Sequence, residues 1–342
     1  MTIVIFAIGL SLLILLHELG HFLAAKFSGL LVHEFGFGFP PRLFAKKIGE
    51  TEYSLNLLPF GGFVRIHGET RTEAEGESKV PPSRNFAAQS AWRRALVLVA
   101  GVLMNVLAGW FIFSALFWIG IPQEVLVADV LPNTPAAVAG FRANDVLIDF
   151  SDGPSFQEAV VASAGKETAF RVRRGEEILT LSATSRVEAP EGEGRLGLRF
   201  TETGLPRTSF IEGFGRGFVQ AMRVLGAIFV SFGELVRSIF TDRSALSQVV
   251  GPVGIFRVAA ASADQGFSYL FQLIALISLN LAVLNILPFP ALDGGRLLFL
   301  LIEKVKGSPL SPKREQLANA IGFSLLIVLM VLVTVRDVVK LF

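Results

Sequence analysis

The sequence predicts a multi-span α-helical membrane protein of about four transmembrane helices, with a small β-element beside the membrane and a compact α+β insert. Three observations predict it. Of 342 residues, 52% are hydrophobic and only 18% charged, too little polar surface for an ordinary soluble chain. Apolar stretches long enough to cross a bilayer recur along the chain. Residues 125–200 interrupt them with short β-type runs. A net charge of +2 gives no reason to expect nucleic acid as a partner. The chain has no cysteine, which excludes disulfides, thiolate metal ligands and a cysteine nucleophile.

Residues 1–25 form the first span. A signal peptide would need a basic start and a small-residue cleavage site, and this stretch has neither; His17, Glu18 and His21 also interrupt its apolar run. Residues 26–91 form a polar connector with strand-like alternation at His33–Phe39, Tyr53–Leu57 and Phe63–Ile66, read as a β-element. From Glu69 to Ser83 the composition turns to Glu, Thr, Lys and Pro, the signature of a loop. A second span covers 95–120. The insert follows, with strands expected at 125–130, 146–150, 169–172, 178–183 and 196–200 and a helix near 155–164. Residues 209–240 are apolar, yet Arg216, Gln220, Arg223, Glu234 and Arg237 recur at helical spacing. That stripe favours a helix lying on the membrane over one crossing it. Spans three and four fall at 270–290 and 316–335. The third ends in Pro288-Phe289-Pro290-Ala291-Leu292-Asp293-Gly294-Gly295, a backbone break that membrane depth tolerates only inside protein or along a wet cavity.

Lysine and arginine set the orientation. The 26–94 connector carries ten of them, and Arg296, Lys304, Lys306, Lys313 and Arg314 separate spans three and four. Both connectors then belong in the cytoplasm; with four spans, both termini and the insert face outside.

His17-Glu18-Leu19-Gly20-His21 is an HExxH sequence. On a helix, residues four apart share a face, so both imidazoles can reach one Zn²⁺, and Glu18 is placed to act as a base. A charged group at the bilayer centre costs about 3 kcal/mol on insertion scales. Three ionisable groups within five residues therefore call for a shared partner, and a metal supplies one. A catalytic zinc takes three protein ligands and keeps an open position. The position six residues after His21 is Phe27, so the helix supplies no third histidine, and His33 and His67 lie in the connector. Asp293, the one acid of the third apolar block, is the candidate; a solvated turn residue is the competing reading. Asn280 and Asn285 precede it, and their amides suit either substrate hydrogen bonding or contacts between helices.

HELGH in the first span, with Asn280-Leu-Ala-Val-Leu-Asn285-Ile-Leu-Pro288-Phe-Pro-Ala-Leu-Asp293-Gly-Gly in a later one, resembles the site-2 proteases. The bacterial regulator of sigma-E protease branch is similar, and Gly251-Pro252-Val253-Gly254-Ile255 also resembles it. The resemblance implies an intramembrane zinc endopeptidase of the bacterial inner membrane. It would cut single-span membrane proteins, such as anti-sigma factors, in regulated intramembrane proteolysis. It implies His17, His21 and Asp293 as zinc ligands, Glu18 as general base, and Asn280 and Asn285 as substrate-binding. The 31–68 connector resembles a membrane-associated β-hairpin that holds substrate as an added strand. Asn133-Thr-Pro-Ala-Ala-Val-Ala-Gly140 followed by Asp145-Val-Leu-Ile148 resembles bacterial protease PDZ domains, which capture chain ends by strand addition. The branch pattern has two such domains in tandem; here there is room for one.

Four regions follow: a membrane core over 1–120, the PDZ-like domain over 121–205, an amphipathic interfacial segment over 206–265, and a second part of the membrane core over 266–342. The competing functional readings are a non-catalytic PDZ-bearing scaffold, for which an intact Glu18 has no use, and a transporter, which would favour paired half-sequences that are not visible here.

Overall fold

Long apolar runs without proline form single helices. The first span is α1 (Thr2–Phe27) and the second is α2 (Ala91–Ile119). The computed structural model describes residues 2–69, 80–189, 193–241 and 250–340. Most of the loop expected over 69–83 therefore lies outside the described residues; its end is a 3-10 turn at Pro82–Arg84.

Among the described residues five helices are long and apolar enough to cross a membrane: Val4–Phe27, Ala91–Ile119, Phe210–Ser238, Phe267–Ile286 and Pro312–Val339. Four match the expected spans. The third stops at Ile286 rather than 290, because Pro288 disfavours helical geometry at Leu287 and lacks an N–H of its own. The additional candidate lies in the segment whose polar stripe suggests a surface helix. Side-chain exposure in these helices differs from that of a water-soluble bundle, with apolar side chains outside as well as inside. Val4, Ile8 and Leu12 of α1 and Leu103, Leu107 and Phe111 of α2 are exposed, while Ser11, Asn105, Ser114 and Ser278 are buried. An apolar exterior with the polar side chains turned inward is the pattern of helices whose solvent is lipid.

The chain divides into two units: Met1–Ser114 with Gly215–Phe342, and Ala115–Phe214. The first contains α1, most of α2, a β-hairpin and the C-terminal helices. In it, Phe6 and Leu13 of α1 pack with Ala259 on α6 (Pro252–Gln265) and with Leu270 and Ile274 on α7 (Phe267–Ile286); the preceding helix, α5, spans Phe210–Thr241. Further along α1, Phe22 and Ala25 pack with Val32, Ile66, Val97 and Leu98. His17 and His21 lie on the stretch of α1 between these clusters. Gly20 faces the Ala100 carbonyl so closely that a Cβ would overlap it, bringing α1 and α2 nearly into backbone contact.

After α7 the chain turns into α8 (Asp293–Lys306) and then α9 (Pro312–Val339). Asp337 of α9 accepts the Gly254 N–H at 2.8 Å in the first turn of α6, a carboxylate at a helix start. A Cβ on Gly251 or Gly254 would meet that carboxylate at 2.7 or 3.0 Å, which accounts physically for the glycines of the Gly-Pro-Val-Gly sequence.

The connector forms the β-hairpin expected over 31–68, with strands β1 (Val32–Ile48) and β2 (Thr51–Ile66) that run through and beyond the three stretches of alternation. Each strand is used twice. The first half of β1 is clasped on both sides: Glu34 stands opposite both Arg65 and Glu52, and Phe37 opposite both Gly62 and Leu55. The second half returns along Thr51–Asn56. At the tight turn, the Glu50 carboxylate accepts from Arg84 at 2.5 Å and from Lys26 at 2.7 Å, which holds its pKa down at about 2 and ties the turn to the end of α1.

The second unit carries a five-stranded sheet in the order β6-β5-β4-β3-β7, built from β3 (Ile121–Val130), β4 (Val146–Leu147), β5 (Glu167–Arg174), β6 (Glu177–Thr184) and β7 (Leu198–Leu205). Two helices accompany it, α3 (Pro135–Ala139) and α4 (Gly153–Ala162). Strand β4 is shorter than the expected 146–150, since the Asp149 side chain takes the Arg171 backbone N–H and guanidinium and a turn follows. Helix α3 escapes the sequence reading because five residues show no period. It is set by its Thr134 cap, Pro135, and Gly140 at φ 87°. Val125, Val127, Leu147, Phe156, Phe170 and Val172 form the core, each at most 2% exposed.

Asp145 is fully buried in this unit. It accepts the Arg142 N–H at 2.8 Å and both arms of the Arg174 guanidinium at 2.7 Å. Burial alone would raise its pKa; the bonds from Arg174 and the Arg142 N–H outweigh burial and lower it. A folded-state pKa below the unfolded value contributes stability at pH above about 4, and that stability is lost as pH falls further. Asp145→Asn is expected to destabilise this unit by about 3 kcal/mol at neutral pH, with the difference from wild type shrinking below about pH 4. Amide hydrogen exchange across β3–β7 in the full chain measures it; equal protection at pH 7 refutes it.

Candidate metal centre

Helical geometry brings His17 and His21 onto one face of α1, with their Nε2 atoms 3.2 Å apart and the rings edge to face. The helix break after α7 supplies the third group. Gly294 and Gly295 let the backbone of 286–290 fold back on the start of α8, where any Cβ would strike a carbonyl. Ala291 is held at φ 77°, a left-handed conformation that non-glycine residues rarely adopt, and its N–H donates to Asn319 Oδ1 on α9 at 3.0 Å. This turn aims Asp293, the first residue of α8, at the histidines. Its Oδ2 lies 3.1 Å from His17 Nε2 and 3.3 Å from His21 Nε2.

Three donor atoms at mutual distances of 3.1, 3.2 and 3.3 Å nearly match one face of a metal tetrahedron. With zinc–nitrogen and zinc–oxygen bonds of roughly 2.0–2.1 Å, the edges of such a face are about 3.3 Å. Asp293 Oδ2 is buried, and among the described residues no donor of ordinary hydrogen-bond geometry serves it. Both histidines are less than 10% exposed. Among the described residues this is the one group of three such side chains able to hold a metal ion. The donor set, two imidazoles and a carboxylate, suits zinc.

Helix α2 braces both rings. The Val97 carbonyl is 2.8 Å from His21 Nδ1, and the Asn105 amide nitrogen, Nδ2, is 3.2 Å from His17 Nδ1. Between them, Gly101 leaves the room that both imidazoles occupy; a Cβ there would overlap His21 and approach His17 Cε1 to 2.9 Å. Residues 97, 101 and 105 share one face of α2, and sequence reading passed over all three. The available signal was Asn105, the single amide within an apolar span, four residues after a glycine.

The donors open onto a cavity of about 340 Å³, lined also by Glu18, Phe63, Asn285 and Arg296. The last stretch of β2 borders it, and Gly62 lies against Glu18, whose Cγ would be 3.3 Å from a Cβ added there. Arg296, one turn beyond Asp293, pairs with Glu69 at the cavity wall. Asn285 reaches the cavity; Asn280 stands exposed on α7 and does not line it. His33 and His67 face each other at 3.1 Å and take no part in the cluster.

The model of peptidase family M50 matches residues 5–329. A Clostridium perfringens protein with a provisional zinc metalloprotease name is 34% identical over 99% of both chains. The regulator of sigma-W protease RasP of Bacillus subtilis is 28% identical, covering all of this chain and 99% of its own. The zinc metalloprotease RasP of Oceanobacillus iheyensis is also 28% identical, over the same shares.

Proposed function

The chain belongs to peptidase family M50, and from that membership we propose that it is an intramembrane zinc endopeptidase that cleaves single-span membrane proteins. The observation carrying this reading is the convergence of His17, His21 and Asp293 within 3.3 Å, beside Glu18 in one cavity. His17, His21 and Asp293 would hold the zinc. Bound there, the metal would supply a Lewis acid able to polarise a peptide carbonyl and to bring the pKa of its water near neutrality. Glu18 takes the proton of the attacking water and passes it to the leaving amine. Asn285 donates a hydrogen bond to the carbonyl oxygen as charge develops there. Asn280, exposed on the same helix, meets the substrate segment farther from the reacting bond.

A helical substrate must be extended before its peptide bond is open to attack. The final stretch of β2, at the cavity edge, receives it as an added strand. The insert over 121–205 acts as a single PDZ domain for a substrate or partner chain end. Support comes from its α+β build and from β7, an edge strand of the sheet. The protein is multi-pass in the bacterial inner membrane, with the basic connectors cytoplasmic. With residues 206–265 at the interface, four spans leave both termini and the insert outside. The regulator of sigma-W protease makes anti-sigma factors the substrate class to try first.

Detergent-purified protein is expected to cleave a single-span substrate within its membrane segment, to stop when a chelator strips the metal, and to recover when zinc is returned. Cleavage that persists after elemental analysis shows no zinc overturns the reading.

A further inference from the structure

We propose that Asn105 is a positioning residue that fixes the ring state of His17, using its side-chain oxygen to hold the proton on Nδ1 so that Nε2 turns a lone pair toward the metal. The inference rests on the zinc reading above.

A neutral imidazole carries one N–H and one lone pair, and the partner of one nitrogen decides what the other offers. For His21 the answer follows from the backbone. The Val97 carbonyl can only accept, so Nδ1 carries the hydrogen and Nε2 is a lone pair facing the cluster. His17 has no such carbonyl. Its Nδ1 lies 3.2 Å from Nδ2 of Asn105, a residue 0% exposed, and a half-turn of that amide exchanges its nitrogen and oxygen ends in the same space. An amide offers either an acceptor or a donor there. With the NH₂ toward the ring, Nδ1 would accept, and the hydrogen on His17 Nε2 would point into the space where His21 Nε2 and Asp293 Oδ2 converge. The amide oxygen would also stay buried with no hydrogen-bond partner among the described residues. With the oxygen toward the ring, it gains a bond and Nε2 becomes a ligand. Either orientation leaves one end of the amide unserved among the described residues, so the bond count does not choose between them; the metal does.

The backbone at 105 is pinned as well. Its carbonyl accepts from Ser278 Oγ at 2.8 Å, a fully buried hydroxyl on α7. A single residue of α2 thus links the metal helix α1 to α7, the helix that leads into the Asp293 turn. Val97 and Asn105, two turns apart on one face, set the two rings by different means, one through backbone and one through side chain.

The test uses Asn105→Leu, which matches the side chain in size but is apolar, and Asn105→Asp, which offers only acceptors when ionised. Zinc affinity by chelator competition, the absorption spectrum of the cobalt-substituted protein, and kcat and KM on a single-span substrate are the readouts. Asn105→Leu is expected to weaken zinc binding by about 10–100-fold, to alter the cobalt spectrum, and to lower kcat with KM nearly unchanged. Asn105→Asp is expected to keep zinc affinity within a few-fold and to restore the spectrum. Wild-type affinity in Asn105→Leu overturns the proposal. So does weak binding in Asn105→Asp, which decides the matter alone should the leucine variant fail to fold. Failure of wild-type protein to bind zinc would instead remove the metal reading itself.

Discussion

Glu18→Gln is expected to slow cleavage of a single-span substrate by about 10²–10⁴-fold while the protein keeps its fold and its zinc. The residue lines the cavity next to His17, and its Cγ lies beside Gly62 at the end of the hairpin. Glutamine fills the same volume and keeps an oxygen in place, so packing against Gly62 survives. What it loses is the ability to take a proton from water and return it to the departing amine. None of the three donor atoms belongs to residue 18, so metal content should not follow activity. The paired measurement is cleavage in detergent and zinc by elemental analysis on the same sample. Zinc lost together with activity would mean that Glu18 supports the metal. Full activity would remove it from the chemistry.

What the sequence made legible follows from the range of each physical signal. Apolar length marks spans locally, so four of the five long apolar helices were readable within a few residues. Spacing within one helix is local too, which is why His17 and His21 were paired on sight. Asp293 is roughly 270 positions from His21. It drew attention only because an acid beside two prolines and two glycines is out of place in an apolar block. Contacts that depend on how two helices cross leave no such mark. Val97 acts through its carbonyl, which any residue would supply, and Gly101 acts by what it lacks. Asn280 and Asn285 looked equivalent as letters, and five residues of helix separate their faces by well over a right angle. The three alternating stretches located the hairpin but not its double pairing, because alternation reports which face a residue takes and says nothing of strands paired on both sides.

The same reasoning gives opposite expectations for one substitution at two places on α2. Alanine favours a helix over glycine by about 1 kcal/mol, so propensity alone would make both Gly101→Ala and Gly109→Ala stabilising. Neighbours decide otherwise. At Gly109 a Cβ meets the buried Leu279 at Cδ2 (2.6 Å) and Cγ (2.7 Å), so that side chain must shift and packing suffers, but no ring of the donor cluster is touched. At Gly101 the Cβ falls on the His21 ring, whose Nδ1 is held by Val97 and whose Nε2 faces Asp293. That ring cannot move without losing its carbonyl bond or its place in the donor triangle. Gly101→Ala is therefore expected to weaken zinc binding more than 100-fold, with activity falling alongside, beyond the about 10–100-fold typical of losing one supporting contact. Gly109→Ala is expected to keep zinc and most of its activity. Chelator competition on the two purified variants separates them, and equal zinc affinity in both would show that the rings have more freedom than their contacts imply.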